Sequence, residues 1–159
     1  MYNLIVSYSS CVDSGQLLRD QVCFALYAAS RAVTSTYRPL LEPLGLTYPQ
    51  YLVLLVLWER DDTTVKDLGD ALRLDSGTLS PLLKRLESAG LVTRRRNPSD
   101  ERSVVISLTE QGAKLRRKAS QIPVSLAATT GLSPGDLAAL RGTLIALTDA
   151  VARTPTTGR

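Results

Sequence analysis

Residues 74–87 read Leu74-Asp75-Ser76-Gly77-Thr78-Leu79-Ser80-Pro81-Leu82-Leu83-Lys84-Arg85-Leu86-Glu87. Asp75 or Ser76 opens a helix here, because a short oxygen-bearing side chain accepts from the free N–H groups of a first turn. Leu79, Leu82, Leu83 and Leu86 recur at steps of three and four and predict a buried stripe. Gly90 is the expected stop, since glycine takes the left-handed backbone that closes a helix. Pro81 leaves two starts open: an irregular first turn, or a helix beginning only near Ser80.

Just before this segment, Thr64-Val65-Lys66-Asp67 has the form of a capping box. It predicts a short helix that buries Val65, Leu68 and Leu72. After Gly90 the period changes. Leu91 to Arg96 and Arg102 to Leu108 read as two strands, with Val104, Ile106 and Leu108 alternating with Ser103, Val105 and Ser107. Asn97-Pro98-Ser99-Asp100 is the turn between them. Two short helices followed by a β-hairpin are the order of a winged helix-turn-helix, a DNA-binding architecture.

Helices are predicted on both flanks. Asp13-Ser14-Gly15-Gln16 reads as a helix start, followed by Leu18, Val22, Ala25, Ala29 and Val33 at helical spacing. Pro39 and Pro43 are expected to end that helix. Thr47-Tyr48-Pro49-Gln50 is another capping box, and the apolar run from Tyr51 to Trp58 predicts a helix buried on all sides. One long helix is expected from Thr109. Ser133-Pro134-Gly135-Asp136 caps the last one, where Leu137, Leu140, Leu144, Leu147 and Val151 form a coiled-coil-like seam.

The expected fold is therefore mainly α with a β-hairpin wing, a winged helix-turn-helix whose dimer is formed by the N- and C-terminal helices. The expected division is a tail over 1–13, one domain over 14–153 and a frayed end over 154–159. Within the domain, 14–46 is the dimerisation helix and loop, 47–108 the winged helix-turn-helix and 109–153 the C-terminal dimerisation helices.

Composition narrows the chemistry. A chain of 159 residues is the length of one domain. Histidine is absent, so no Ser-His-Asp triad, Cys-His pair or imidazole metal ligand can form. Two cysteines are too few for a zinc ribbon or a disulfide scaffold. No enzyme activity, cofactor or metal is expected. No stretch is long and apolar enough to span a bilayer, and the apolar run at Met1–Tyr8 lacks the basic flank of a signal peptide. Ser9-Ser10-Cys11 bears only a faint likeness to a lipoprotein cleavage site. The expected location is cytoplasmic, where thiols stay reduced. The net charge of +4 leans towards nucleic acid. Most of that excess falls on Lys84, Arg85, Arg94, Arg95, Arg96 and Arg102, set against Glu87, Asp100 and Glu101.

Leu68-Gly69, residues 74–87, Gly90-Leu91-Val92 and the wing's Asp100-Glu101-Arg102 together resemble the MarR family of dimeric repressors. Gln21 to Arg31, Tyr37-Arg38-Pro39-Leu40-Leu41 and Leu46 to Tyr51 are similar to its organic hydroperoxide resistance repressors. The likeness runs from about Leu17 to Pro123; the last helix matches in pattern more than identity. The resemblance implies a homodimer on double-stranded operator DNA, with an organic hydroperoxide as inducer that oxidises one cysteine and releases the DNA.

Cys23 is the candidate redox-sensing residue. On composition alone, a cysteine in an apolar helix is an inert core residue; the motif shifts the reading to a sensor. A sensing thiol reacts as the thiolate. A helix starting near Ser14 is too far away for its dipole to help. Arg19 and Tyr27 lie four places either side, on the same face. Tyr37 is fourteen residues further on, about 21 Å along a straight helix, so it cannot reach its own Cys23. The resemblance implies that Tyr37 and Tyr48 of the other subunit hold the thiolate; simple interface packing is the alternative for both. Cys11 is the only other cysteine, and its reading as a resolving thiol is the lesser one beside an incidental residue. The simpler expectation is capping of oxidised Cys23 by a low-molecular-weight thiol.

Ser76, Thr78 and Ser80 are candidate major-groove or phosphate contacts, with Lys84, Arg85, Arg94, Arg95 and Arg96 beside them. Arg102 is the candidate for the minor groove, braced by Asp100. Lys114, Arg116, Arg117 and Lys118 read as a solvated face. Two other functions remain: a MarR-type repressor responding to a small phenolic or acidic ligand, and a thiol peroxidase using Cys23.

Overall fold

The computed structural model describes residues 17–97 and 100–153, with the side chains at 101, 102 and 126 outside that description. The chain divides into two compact units, residues 1–116 and 117–159.

In the first unit, a single 3-10 turn over Leu18–Asp20 precedes α1, Val22–Leu41. The helix expected from Asp13–Gln16 does not run through this region, although those four residues themselves lie outside the described ones. Leu17 and Gln21 are both extended, with ψ of 131° and 112°, and an extended residue interrupts the helical hydrogen-bond ladder. Apolar spacing survives such a short turn, so periodicity cannot locate the start. The other end also moves. Pro39 lies inside α1, depriving only the Ser35 carbonyl of a donor. The stop comes from the 3-10 turn Glu42–Leu44, which holds Pro43, and from Gly45 in the left-handed region.

α2, Tyr48–Glu59, begins at the expected box. Gln50 Oε1 accepts from the Thr47 N–H at 2.8 Å and the Thr47 hydroxyl at 3.0 Å. Its burial is not complete on all sides, since Leu55 stays 39% exposed. β1, Thr63–Thr64, leads directly into α3, Val65–Leu72. Thr64 caps α3 by accepting from the Asp67 N–H at 3.1 Å. Leu68 is fully buried, but Val65 and Leu72 are only half-covered. The turn out of α3 is tight: Arg73 has φ +54°, and the Leu74 N–H donates to the Gly69 carbonyl at 2.9 Å. A Cβ on Gly69 would meet the Leu74 carbonyl oxygen at 2.9 Å, so the close approach requires glycine.

α4, Ser76–Ser88, starts at its Asp75 cap with Pro81 in its interior. The Gly77 carbonyl that loses Pro81 as a donor belongs to an exposed stretch, where water can replace the missing bond. Gly90 ends α4 as expected, with φ +69°. The Gly90 N–H donates to Glu87 O at 2.9 Å and the Leu91 N–H to Leu86 O at 3.0 Å, the paired bonds of a Schellman stop.

β2, Val92–Asn97, and β3, Asp100–Leu108, form the hairpin. β1 adds a third antiparallel strand, in the order β1-β3-β2. Two residues of β1 are too few to show a period, so the sequence reading has only two strands. β1 lies beside Val105, on the face expected to be polar; Val105 is buried to 6% exposure. α5, Glu110–Ala119, follows. The Trp58 indole N–H donates to the Gly112 carbonyl at 2.9 Å, a buried bond that ties α2 to α5.

The second unit contains α6, Ile122–Thr130, and α7, Pro134–Arg153. The single helix expected from Thr109 is therefore two, α5 and α6. Pro123 sits in the first turn of α6, where proline starts a helix more readily than it continues one. Ser133 caps α7, accepting from the Asp136 N–H at 3.1 Å. No residue of α7 is buried, and Leu140, Leu144, Leu147 and Val151 are exposed. Among the described residues, no single helix is long and apolar enough to cross a membrane.

Candidate thiol and nucleic-acid sites

Cys23 is exposed and carries a free thiol. It is the second residue of α1, in the turn whose backbone N–H groups have no partner within the helix. The expectation of a distant helix start is corrected: α1 starts at Val22, not near Ser14, so Cys23 lies in the first turn. Arg19 moves the other way. It sits in the 3-10 turn and pairs with Asp20 at 3.8 Å, rather than one helical turn before Cys23. Tyr27 stands one turn after Cys23 on α1. Its hydroxyl accepts from Arg31 Nη1 at 3.1 Å, and the guanidinium lies 5.5 Å from its ring centre. Among the described residues, no hydrogen bond reaches the Cys23 sulfur. Cys11 lies outside the described residues.

Tyr37 and Tyr48 are brought together, with ring centres 4.5 Å apart, and Tyr51 is 6.0 Å from Tyr37. Burial, and then the neighbouring Tyr48 and Tyr51, push the Tyr37 hydroxyl up to about 12. Burial also raises Tyr48. The segment from Cys23 to Tyr37 lies entirely within α1, which places the tyrosine pair about 21 Å from the thiol of the same chain. Beside Tyr48 is a cleft of about 460 Å³, lined by Ser30, Arg31, Thr34, Arg38 and Leu41 among others.

α4 is two-faced. Leu79, Leu83 and Leu86 are fully buried, while Ser76, Thr78, Ser80, Lys84 and Arg85 are exposed. Ser76, Gly77, Ser80, Pro81, Lys84 and Arg94 line one open groove, so α4 and the wing meet there. The Thr78 hydroxyl donates to Asp75 Oδ2 at 2.9 Å. Together with the Thr78 N–H, it holds the Asp75 carboxyl below the ordinary range.

The wing arginines alternate. Arg94 and Arg96 pair with Ile106 and Val104; Arg95 pairs with Val105 and points to the other face. All three are exposed. Arg95 Nη2 lies 2.7 Å from Asp62 Oδ1, and the Ser107 hydroxyl donates to the same oxygen. These two bonds, Ser107 first, keep the Asp62 carboxyl below its usual range. Neither Asp62 nor Ser107 is singled out by the sequence; the only local signal is an Asp-Asp pair at a helix-to-strand turn.

The ladder slips between Arg96 and Asn97: Arg96 faces Val104, but Asn97 faces Asp100. Residues 101–103 therefore bulge at the wing tip. Asp100 is exposed, and the Arg102 side chain is outside the described ones. Lys114 is 2.6 Å from Glu110, one turn away on a solvated face.

Residues 35–118 match the family described as transcriptional regulator SarA/Rot. The chain is 54% identical over 130 residues to an organic hydroperoxide resistance transcriptional regulator of Bacillus subtilis, covering 82% of this chain and 88% of that one. Among solved structures it is similar to AbfR of Staphylococcus epidermidis. Reduced AbfR bound to DNA is 36% identical with a TM-score of 0.71, covering 84% of this chain and 93% of that one. AbfR with its disulfide formed is 38% identical with a TM-score of 0.57, covering 88% and 98%. A MarR-family regulator of Rhodococcus sp. is 27% identical with a TM-score of 0.74, covering 83% and 95%. With the helix-turn-helix and wing assembled as described, the chain belongs to the MarR family of transcriptional regulators, in its organic hydroperoxide resistance branch.

Proposed function

We propose that this regulator is a homodimeric repressor that holds a two-fold-related operator while Cys23 is reduced and leaves it when an organic hydroperoxide oxidises Cys23. The observation that carries the reading is the placement of Cys23: an exposed thiol in the first turn of α1, with its own Tyr37–Tyr48 pair far along the same helix. An antiparallel partner brings its tyrosine pair to this thiol, where two protonated hydroxyls donate to the thiolate. Exposed apolar side chains support such a partner: Val22, Phe24 and Val33 on α1, and Leu140, Leu144 and Leu147 on α7.

The thiolate attacks the terminal peroxide oxygen and keeps it as sulfenic acid, while the O–O bond breaks and the alkoxide leaves, taking up a proton to give the alcohol. A low-molecular-weight thiol then condenses with the sulfenic acid, giving a mixed disulfide and water. On the DNA side, Ser76, Thr78 and Ser80 enter the major groove, Lys84, Arg85, Arg94 and Arg96 hold phosphates, and Arg102, braced by Asp100, reaches the minor groove. Operator gel shifts with and without cumene hydroperoxide test the reading: the native protein is released, and Cys23→Ser stays bound.

One observation favours a second reading. Arg31 and Arg38 line the cleft beside Tyr48, a setting suited to a small acidic or phenolic ligand. Such a ligand would release Cys23→Ser as readily as the native protein.

A further inference from the structure

The three consecutive wing arginines do different jobs, and we infer that Arg95 is a positioning residue that locks the wing to the body of the domain through Asp62, rather than a DNA contact. The inference rests on the DNA-binding reading above. Asp62 sits in the loop between α2 and β1 with φ +54°. This left-handed backbone turns its carboxylate onto the sheet. One oxygen then accepts from Arg95 on β2 and from Ser107 on β3, so a single carboxylate grips both strands of the hairpin. Its neighbour extends the grip: Asp61 Oδ1 accepts from the Leu108 N–H and the Asp62 N–H, each at 2.9 Å.

The wing needs such a fastening. Beyond its own two strands, its ladder is extended by the two residues of β1 alone, and its tip is bulged. Alternation along β2 separates the roles. Arg94 lines the groove with Ser76 and Lys84 of α4, while Arg95 points to the opposite face and is already neutralised by Asp62. An arginine held in an ion pair brings no uncompensated charge to DNA, so it displaces no counterions of its own.

Salt dependence of operator affinity separates the two roles. Arg94→Gln and Arg96→Gln should each reduce the slope of log K against log salt by about one per subunit. Arg95→Gln should leave that slope unchanged and weaken binding about two- to fivefold per subunit, the scale of an exposed pair. Ser107→Ala, which changes no charge, should weaken binding in the same direction with the slope intact. Asp62→Asn combined with Arg95→Gln should be no worse than either alone. A slope loss of about one per subunit for Arg95→Gln, or tighter binding by Ser107→Ala, overturns the inference and leaves the DNA reading standing. Unchanged slopes for Arg94→Gln and Arg96→Gln as well remove the wing from the DNA and overturn both.

Discussion

The Tyr37 and Tyr48 hydroxyls are neutral donors at pH 7, and burial raises them further above that range. If the partner's pair holds the thiolate, Tyr37→Phe and Tyr48→Phe remove a donor while keeping the ring. A donor to a charged acceptor is worth roughly 1.5–3 kcal/mol, so oxidation of Cys23 at pH 7 should slow by about ten- to a hundredfold. The gap should narrow as alkali ionises the thiol in every variant. Loss of free thiol under limiting hydroperoxide measures it; equal rates for both variants and the native protein leave the tyrosines as packing alone. Asp75 gives a pH prediction. Its carboxyl is lowered in the folded state by Thr78, so its charge adds stability above about pH 4, and that contribution is lost as pH falls through the folded value. Asp75→Asn should therefore lower the urea midpoint at pH 7, and its gap from the native protein should close as pH falls through the folded value of Asp75. At this scale the sequence singles out Cys23, Tyr37 and Tyr48 as candidates through a motif. It hides Asp62–Arg95, because partners 33 positions apart meet only after β1, β2 and β3 are assembled.

Caps and stops were legible because their chemistry is local. Thr64, Asp75 and Ser133 each accept from an N–H three residues on, Gln50 reaches back to the Thr47 N–H, and Gly90 stands next to the helix it ends. The start of α1, the two-residue β1 and the break before α6 were not legible. Each depends on which backbone groups find partners elsewhere; the apolar period crosses the start of α1 and the break before α6, and the two residues of β1 are too few to show one. Leu83, fully buried on α4, tests the packing of this element: Leu83→Ala should cost about 2–5 kcal/mol in denaturant titration. Gly112 tests a backbone contact. A Cβ there would collide with the Leu91 carbonyl oxygen, so Gly112→Ala must push α5 away from the backbone that leads into β2 and strain the Trp58 bond. The expected loss is about 1–3 kcal/mol or more, and a native-like midpoint contradicts it.

Apolar side chains on α1 and α7 are exposed in the single chain, and the proposed dimer would bury them. Leu144→Glu places a charge in the seam of α7 and should shift sedimentation from dimer to monomer, with operator binding lost alongside. A dimer that survives this change places the interface elsewhere. The proposed switch requires the same assembly, since Tyr37 lies about 21 Å along α1 from the Cys23 of its own chain. The most direct measurement is operator occupancy under cumene hydroperoxide, followed in parallel with the mass of the Cys23 peptide. The native protein should leave the DNA as Cys23 gains oxygen or a thiol adduct, while Cys23→Ser should remain bound at every dose. Release of Cys23→Ser at the same dose, or full occupancy by native protein whose Cys23 is completely oxidised, contradicts the account.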